Sequence, residues 1–160
     1  MYRSKNTGRG GEADFIPAGA YRGRMSADNG PEPFTLNISR AAEQNGTFRT
    51  TVWTGEHLQV TLMCIPAGGE VGLEMHPCTD QFIRVETGRG LVQMGNSRDD
   101  LGFQRIVCDG YAILIPAGKW HNLLNTGRCP LKLYSIYAPP HHPQGTVHLT
   151  KADSDAAEHG

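Results

Sequence analysis

Across residues 47–138 apolar and polar residues alternate in short runs, each closed by glycine, proline or a polar turn. The runs are FRTTVWT, HLQVTLMCI, GLEMH, QFIRVET, GLVQMG, FQRIVC, YAILI, HNLLN and LKLYSIYA. Period-two alternation sends one face of each run into a core. Runs this short and this evenly spaced predict an all-β sandwich or barrel. Thr87-Gly88-Arg89-Gly90 and Asn125-Thr126-Gly127 fall between neighbouring runs, where their residue types favour hairpin turns. Ahead of the strands, the segment SRAAEQNG at 39–46 opens on an N-cap residue type and closes on Asn-Gly, predicting the one short helix.

The flanks lack this texture. Residues 1–33 are rich in Gly, Pro and charge, and their apolar members Phe15, Ile16, Tyr21 and Met25 keep no period, so this stretch is expected to be an arm or loop. Residues 34–140 then form the barrel. Residues 141–160 are a tail, first Pro- and His-containing and then acidic and small, and its last ten or so residues are expected to be disordered. At 160 residues the chain makes one domain.

Charge narrows the partners. Fifteen Lys and Arg against 16 Asp and Glu leave no field that would draw the molecule to nucleic acid or an anionic membrane, so the expected partner is a small-molecule ligand or substrate. No apolar run approaches the roughly 20 residues of a bilayer span, and the first residues carry no apolar stretch of signal-peptide type, which predicts a cytoplasmic protein. Cys64, Cys78, Cys108 and Cys129 form no CxxC pair and are expected to be free thiols.

Two stretches carry candidate chemistry. In the first, Gly68 is followed after five residues by Glu74-Met75-His76, after four more by Gln81, and after six more by Gly88. In the second, Gly110, Pro116, Gly118, His121 and Asn125 stand at gaps of five, one, two and three residues. The second set resembles the second motif of the cupin family at every position. The first resembles the first cupin motif in all its spacings, with Glu74 where the family has a histidine and Gln81 where it has a glutamate. The resemblance covers roughly residues 47–138. It implies a double-stranded β-helix, the cupin or jelly-roll barrel, with at most one or two short helices and a tendency to pair as a homodimer.

The physics of the residues agrees with that resemblance. Residues two apart in a strand share a face, so Glu74 and His76 project together, Gln81 returns to their layer after the Pro77-Cys78 turn, and His121 can face them. A carboxylate, an amide oxygen and two imidazoles suit one divalent transition metal, Zn, Fe, Mn, Ni or Co, better than Mg or Ca. An alternative register reads His76-Pro77-Cys78 as the His-x-His element and makes Cys78 a ligand, at the cost of a gap one residue too short before Gln81. Otherwise Cys78 sits at the turn beside the pocket mouth.

Further residues are candidates for the pocket. His57 and Gln59 alternate with Thr61 and offer a polar wall. His141, His142 and His148 follow a Pro-rich turn from which one could close over the barrel mouth. Tyr134 and Tyr137 are three apart, so at most one faces inward. The cupin barrel hosts many activities, so the fold leaves three classes open. They are a metal-dependent isomerase or lyase acting on a small carbonyl or sugar-type substrate, an Fe(II)-dependent dioxygenase, and a non-catalytic ligand-binding barrel. The ligand set is similar to that of the much larger cupin phosphomannose isomerases.

Overall fold

In the computed structural model the described residues are 28–160. Most of the expected N-terminal arm, including Phe15, Ile16, Tyr21 and Met25, lies outside them. The helix α1 spans Ile38–Gln44 and is followed by the strands β1 (Arg49–Thr54), β2 (Gln59–Ile65), β3 (Asp80–Thr87) and β4 (Arg89–Gly95). After these come β5 (Phe103–Cys108), β6 (Ala112–Ile115), β7 (Trp120–Asn125), β8 (Leu131–Ala138), the short β9 (Val147–His148) and the helix α2 (Lys151–His159). The strands form two antiparallel sheets, one in the order β6-β3-β8-β2-β1-β9 and one in the order β5-β4-β7.

Alternation fixes what the larger sheet turns inward. Its register aligns four inward-facing rows, because directly paired residues share a face. One row is Ile115, Gln81, Tyr137, Gln59 and Thr54, and the next is Ile113, Ile83, Ser135, Thr61 and Thr51. The third runs Val85, Leu133, Met63 and Arg49, and the fourth pairs Leu131 with Ile65. The interior is thus polar at one end and apolar at the other. The apolar end joins Phe48, Val92, Val107 and Leu123 in the main core cluster.

The outer face of the larger sheet is covered in part by α1. Ala42 is buried there against Val52 and Leu62, with Val60 and Tyr134 alongside. Asn37 caps the helix by accepting a hydrogen bond from the Arg40 amide, two residues ahead of the start expected at Ser39. Tyr137 faces inward and Tyr134 outward, as their spacing requires.

Two expectations need correction. The run GLEMH makes no regular strand: Gly72 takes a φ of +107°, a left-handed conformation that glycine tolerates and that breaks the ladder, and only isolated bridges at Glu70–Leu124 and Glu74–His121 remain. The tail is not disordered. Its last residues form α2, which begins on a capping box in which the Thr150 hydroxyl accepts from the Asp153 amide and the Asp153 carboxylate accepts from the Thr150 amide. Ser154 on α2 is buried against Arg49 of β1, so the helix is a docked part of the barrel wall.

Candidate metal centre

The segment 69–74 runs beside β7 as an irregular extra strand. The Val71 amide donates to the Leu123 carbonyl, and Glu74 and His121 exchange both backbone hydrogen bonds at 3.0 and 2.9 Å. Asn122 fastens the bend at Gly72. Its side-chain oxygen accepts from the Gly72 amide at 3.0 Å, and its side-chain nitrogen donates to Glu70 at 2.6 Å. This backbone pairing sets Glu74 directly opposite His121.

His76 arrives by a second route. The Pro116–Gly118 turn, with Gly118 at a φ of +82°, donates the Gly118 amide to the His76 carbonyl at 2.8 Å. The Ala117 amide in the same turn donates to the Asp80 carboxylate at 2.8 Å. The two sequence stretches are therefore tied by their backbones before any side chain meets.

The side chains then converge. Glu74 Oε1 lies 3.4 Å from His76 Nε2 and 3.4 Å from His121 Nε2. The two imidazole rings stand 5.2 Å apart, edge to face. The three donor atoms are buried, and none has a hydrogen-bond partner among the described residues. Burial pushes the Glu74 carboxyl up, but the imidazoles of His121 and His76 more than offset this and hold it well below the usual carboxylate range. His121 Nδ1 contacts the Lys119 carbonyl oxygen at 2.8 Å, which fixes the ring's orientation and turns Nε2 toward Glu74.

These features fit a bound cation. Three unpartnered lone-pair atoms buried together are costly unless something positive sits among them. Two donors each about 2.1 Å from one ion at a tetrahedral angle stand about 3.4 Å apart, the spacing found here. Gln81 faces the interior on β3, paired with Tyr137, whose ring lies 5.7 Å from that of His76. The Gln81 side-chain nitrogen donates to Ser135 Oγ at 2.9 Å, and its oxygen is also buried without a hydrogen-bond partner.

A lid of tail residues closes the polar end. The Gln59 side chain is fully buried and makes three hydrogen bonds to the segment after β8. Its oxygen accepts from the amides of His141 and His142 at 3.2 and 2.9 Å, and its nitrogen donates to the His142 carbonyl at 2.8 Å. His141 is thereby held with its ring 4.0 Å from that of His76, and His142 against Tyr137 at 5.1 Å. Burial, followed by the charges of neighbouring basic groups, lowers His141 to about 4 and His142 to about 2, so both imidazoles are neutral near neutral pH.

The cupin domain model matches residues 61–137 of this chain. The Bacillus subtilis protein YrkC is 62% identical over 146 residues, covering 91% of this chain and 78% of YrkC. The chain belongs to the cupin family. Its fold is shared closely with the crystal structure of BH2720 from Bacillus halodurans, at 62% identity and a TM-score of 0.81 over 82% of this chain and 99% of that one. The fold extends to distant cupins such as KdgF from a Halomonas species, at 19% identity and a TM-score of 0.54, covering 68% and 96% of the two chains.

Within this cupin the sequence candidates separate clearly. Glu74, His76 and His121 form one group, and Gln81 faces the interior on β3. His57 does not line the pocket: its side chain is 86% exposed, beside Glu56, because the chain turns between Gly55 and Leu58 before β2 begins. Cys78 is an exposed free thiol in the turn after His76, outside the converging group. All four cysteines are free, three of them exposed and Cys64 half-buried. His148 sits on β9, with its Nδ1 3.5 Å from Arg49. Arg49 was not singled out as a pocket residue by sequence reasoning, and Tyr137 was left undecided against Tyr134. Alternation along LKLYSIYA, with Leu131, Leu133, Ser135 and Tyr137 on one face, was the signal that could have found Tyr137.

Proposed function

We propose that this cupin is a metal-dependent enzyme, in which Glu74, His76, His121 and Gln81 hold one divalent transition metal at the polar end of the barrel. The observation that carries the reading is the convergence of Glu74 Oε1, His76 Nε2 and His121 Nε2, buried and without hydrogen-bond partners, together with an equally unpartnered Gln81 Oε1. Two imidazoles, one carboxylate and one amide oxygen suit Zn, Fe, Mn, Ni or Co. When bound, the metal acts as a Lewis acid that polarises an oxygen of a small carbonyl or sugar-type substrate, supporting isomerisation or elimination.

The protein's own groups supply the remainder. Glu74 contributes the single negative charge of the set, and the Lys119 carbonyl keeps His121 in the orientation that presents Nε2. Ser135 draws off the Gln81 amide nitrogen and leaves its buried oxygen without a partner. Tyr137, fully buried and raised by that burial to about 12, keeps its proton and offers an O–H to a substrate oxygen. The buried, unpartnered Nε2 of neutral His142 is a hydrogen-bonding group left for a ligand. The 139–142 turn held by Gln59 limits the access of water to this space.

The test is elemental analysis of protein purified without an affinity tag or added metal. Near one transition metal per chain is expected, with its loss in His121→Ala. Zn or Mn directs assays to isomerisation or lysis, and Fe to oxygen chemistry. Protein that stays empty after incubation with Fe(II), Mn(II), Ni(II) and Zn(II) overturns the metalloenzyme reading and leaves a binding barrel.

A further inference from the structure

Beyond the four proposed ligands the barrel interior holds a buried cation, on a row whose other members are apolar. Arg49 faces inward on the third row, paired with Met63, and is 1% exposed. Among the described residues it has no carboxylate within ion-pair reach. Its Nη1 reaches the Ser154 hydroxyl and, at 3.5 Å, His148 Nδ1, neither of which carries negative charge. Its Nε makes no hydrogen bond among the described residues. A guanidinium held out of water without an opposite charge is strongly unfavourable, which calls for a role beyond packing.

The groups around it share this condition. Tyr137 Oη and Thr61 Oγ1 are fully buried and, like His142 Nε2, make no well-aligned hydrogen bond among the described residues, the Tyr137 hydroxyl having Arg49 and Ser135 as its polar neighbours. Tyr137 neighbours both His76 and Arg49. Its ring lies 5.7 Å from that of His76, and the Arg49 charge acts on its hydroxyl against the effect of burial. Unpartnered polar atoms thus recur on the inward rows that carry Arg49, Thr61 and Tyr137 and on the neighbouring histidines.

We propose that Arg49 and the Tyr137 hydroxyl form an anion subsite, which takes the carboxylate of a small acid whose second oxygen reaches the Glu74–His76–His121 group. A guanidinium fork and an O–H donor match a carboxylate's two oxygens, and compensation by the ligand supplies the charge that Arg49 lacks. The second half of the proposal rests on the metal reading above. The first half stands without it. The competing role for Arg49 is structural, as a clasp that pins α2 through Ser154.

The experiment is calorimetric titration of the full chain with glycolate, lactate and pyruvate, each against its neutral amide, in Mn(II)-loaded and metal-free protein. Wild type is expected to bind at least one acid about tenfold or more tightly than its amide, and Arg49→Met to lose that preference while keeping its metal. Arg49→Lys retains part of it. Should Arg49→Met fail to fold, Tyr137→Phe removes only the hydroxyl and is expected to weaken the preference. Ser154→Ala breaks the clasp and leaves the preference intact. No acid preferred in wild type, a preference that survives in Arg49→Met or is undiminished in Tyr137→Phe, or one lost in Ser154→Ala overturns the subsite. An arginine-dependent preference in a protein that takes up no metal sustains the subsite and removes the metal reading. Stoichiometric metal without any preference does the reverse.

Discussion

The two ends of the barrel interior are built from the same strands and filled on opposite terms. At the apolar end Leu131, Leu133, Val85, Ile65 and Met63 interlock with Leu123 and Val92 of the second sheet. At the polar end Gln81, Tyr137, Thr61, His76 and His121 occupy equivalent inward positions, yet each keeps an atom without a partner. One end contributes the stability that the other gives up. Buried polar atoms left unpaired weaken a fold by about 1–3 kcal/mol each, so their concentration at one end marks that end as the place where a ligand is bound.

Substitutions should separate the ends. The largest effect on stability is expected from Leu133→Ala, which opens a cavity in the apolar end and lowers unfolding free energy by about 2–5 kcal/mol in urea denaturation, with metal content per folded chain unchanged. His121→Ala should do the opposite, reducing metal retention by at least about 100-fold in elemental analysis, because loss of a ligand exceeds the loss of a supporting partner. A smaller effect is expected from Gln59→Leu. It strands two amides and a carbonyl of the His141–His142 turn and should cost about 1–3 kcal/mol, with faster hydrogen exchange confined to that turn.

Acid should act on the polar end before the apolar one. His141 and His142 are held to about 4 and about 2 in the fold, against an ordinary 6.5. Above pH 6.5 both states are neutral and stability does not depend on these groups. As pH falls below it, the unfolded chain binds protons that the fold refuses, and stability declines toward the folded values. His142→Gln should flatten the slope of unfolding free energy between pH 7 and 5. The smallest expected effect is that of Thr150→Ala, which removes the cap of α2 and costs about 1 kcal/mol, read as a lowered denaturation midpoint.

Where the sequence was legible, the reason was local. Strands could be placed because alternation and turn residues are short-range signals, and His121 could be paired with the Glu74–His76 element because motif spacing carries the fold with it. What failed depended on contacts that spacing does not encode. His57 shares a parity with Gln59, but a turn intervenes and parity means nothing across it. Glu74 reaches His121 through a bend at Gly72 rather than along a strand. The helix α2 was hidden by its composition, since lysine, aspartate and alanine offer no apolar stripe, although Thr150 and Asp153 had the spacing of a capping box. The lid histidines depended on Gln59, which lies 82 and 83 residues before them.

The strand β8 lies between β2 and β3 and pairs with both along nearly its whole length. It follows them in the chain, its first residue standing at 131 while β2 ends at 65 and β3 at 87. During synthesis at about 5–20 residues per second, β2 and β3 therefore wait for seconds with open edges and an uncovered inner face. Until β8 emerges they have no shared partner and no six-stranded sheet to join. The ribosome and whatever shields nascent chains must keep those edges from neighbouring copies. In the finished sheet a single strand thus joins two that were made before it.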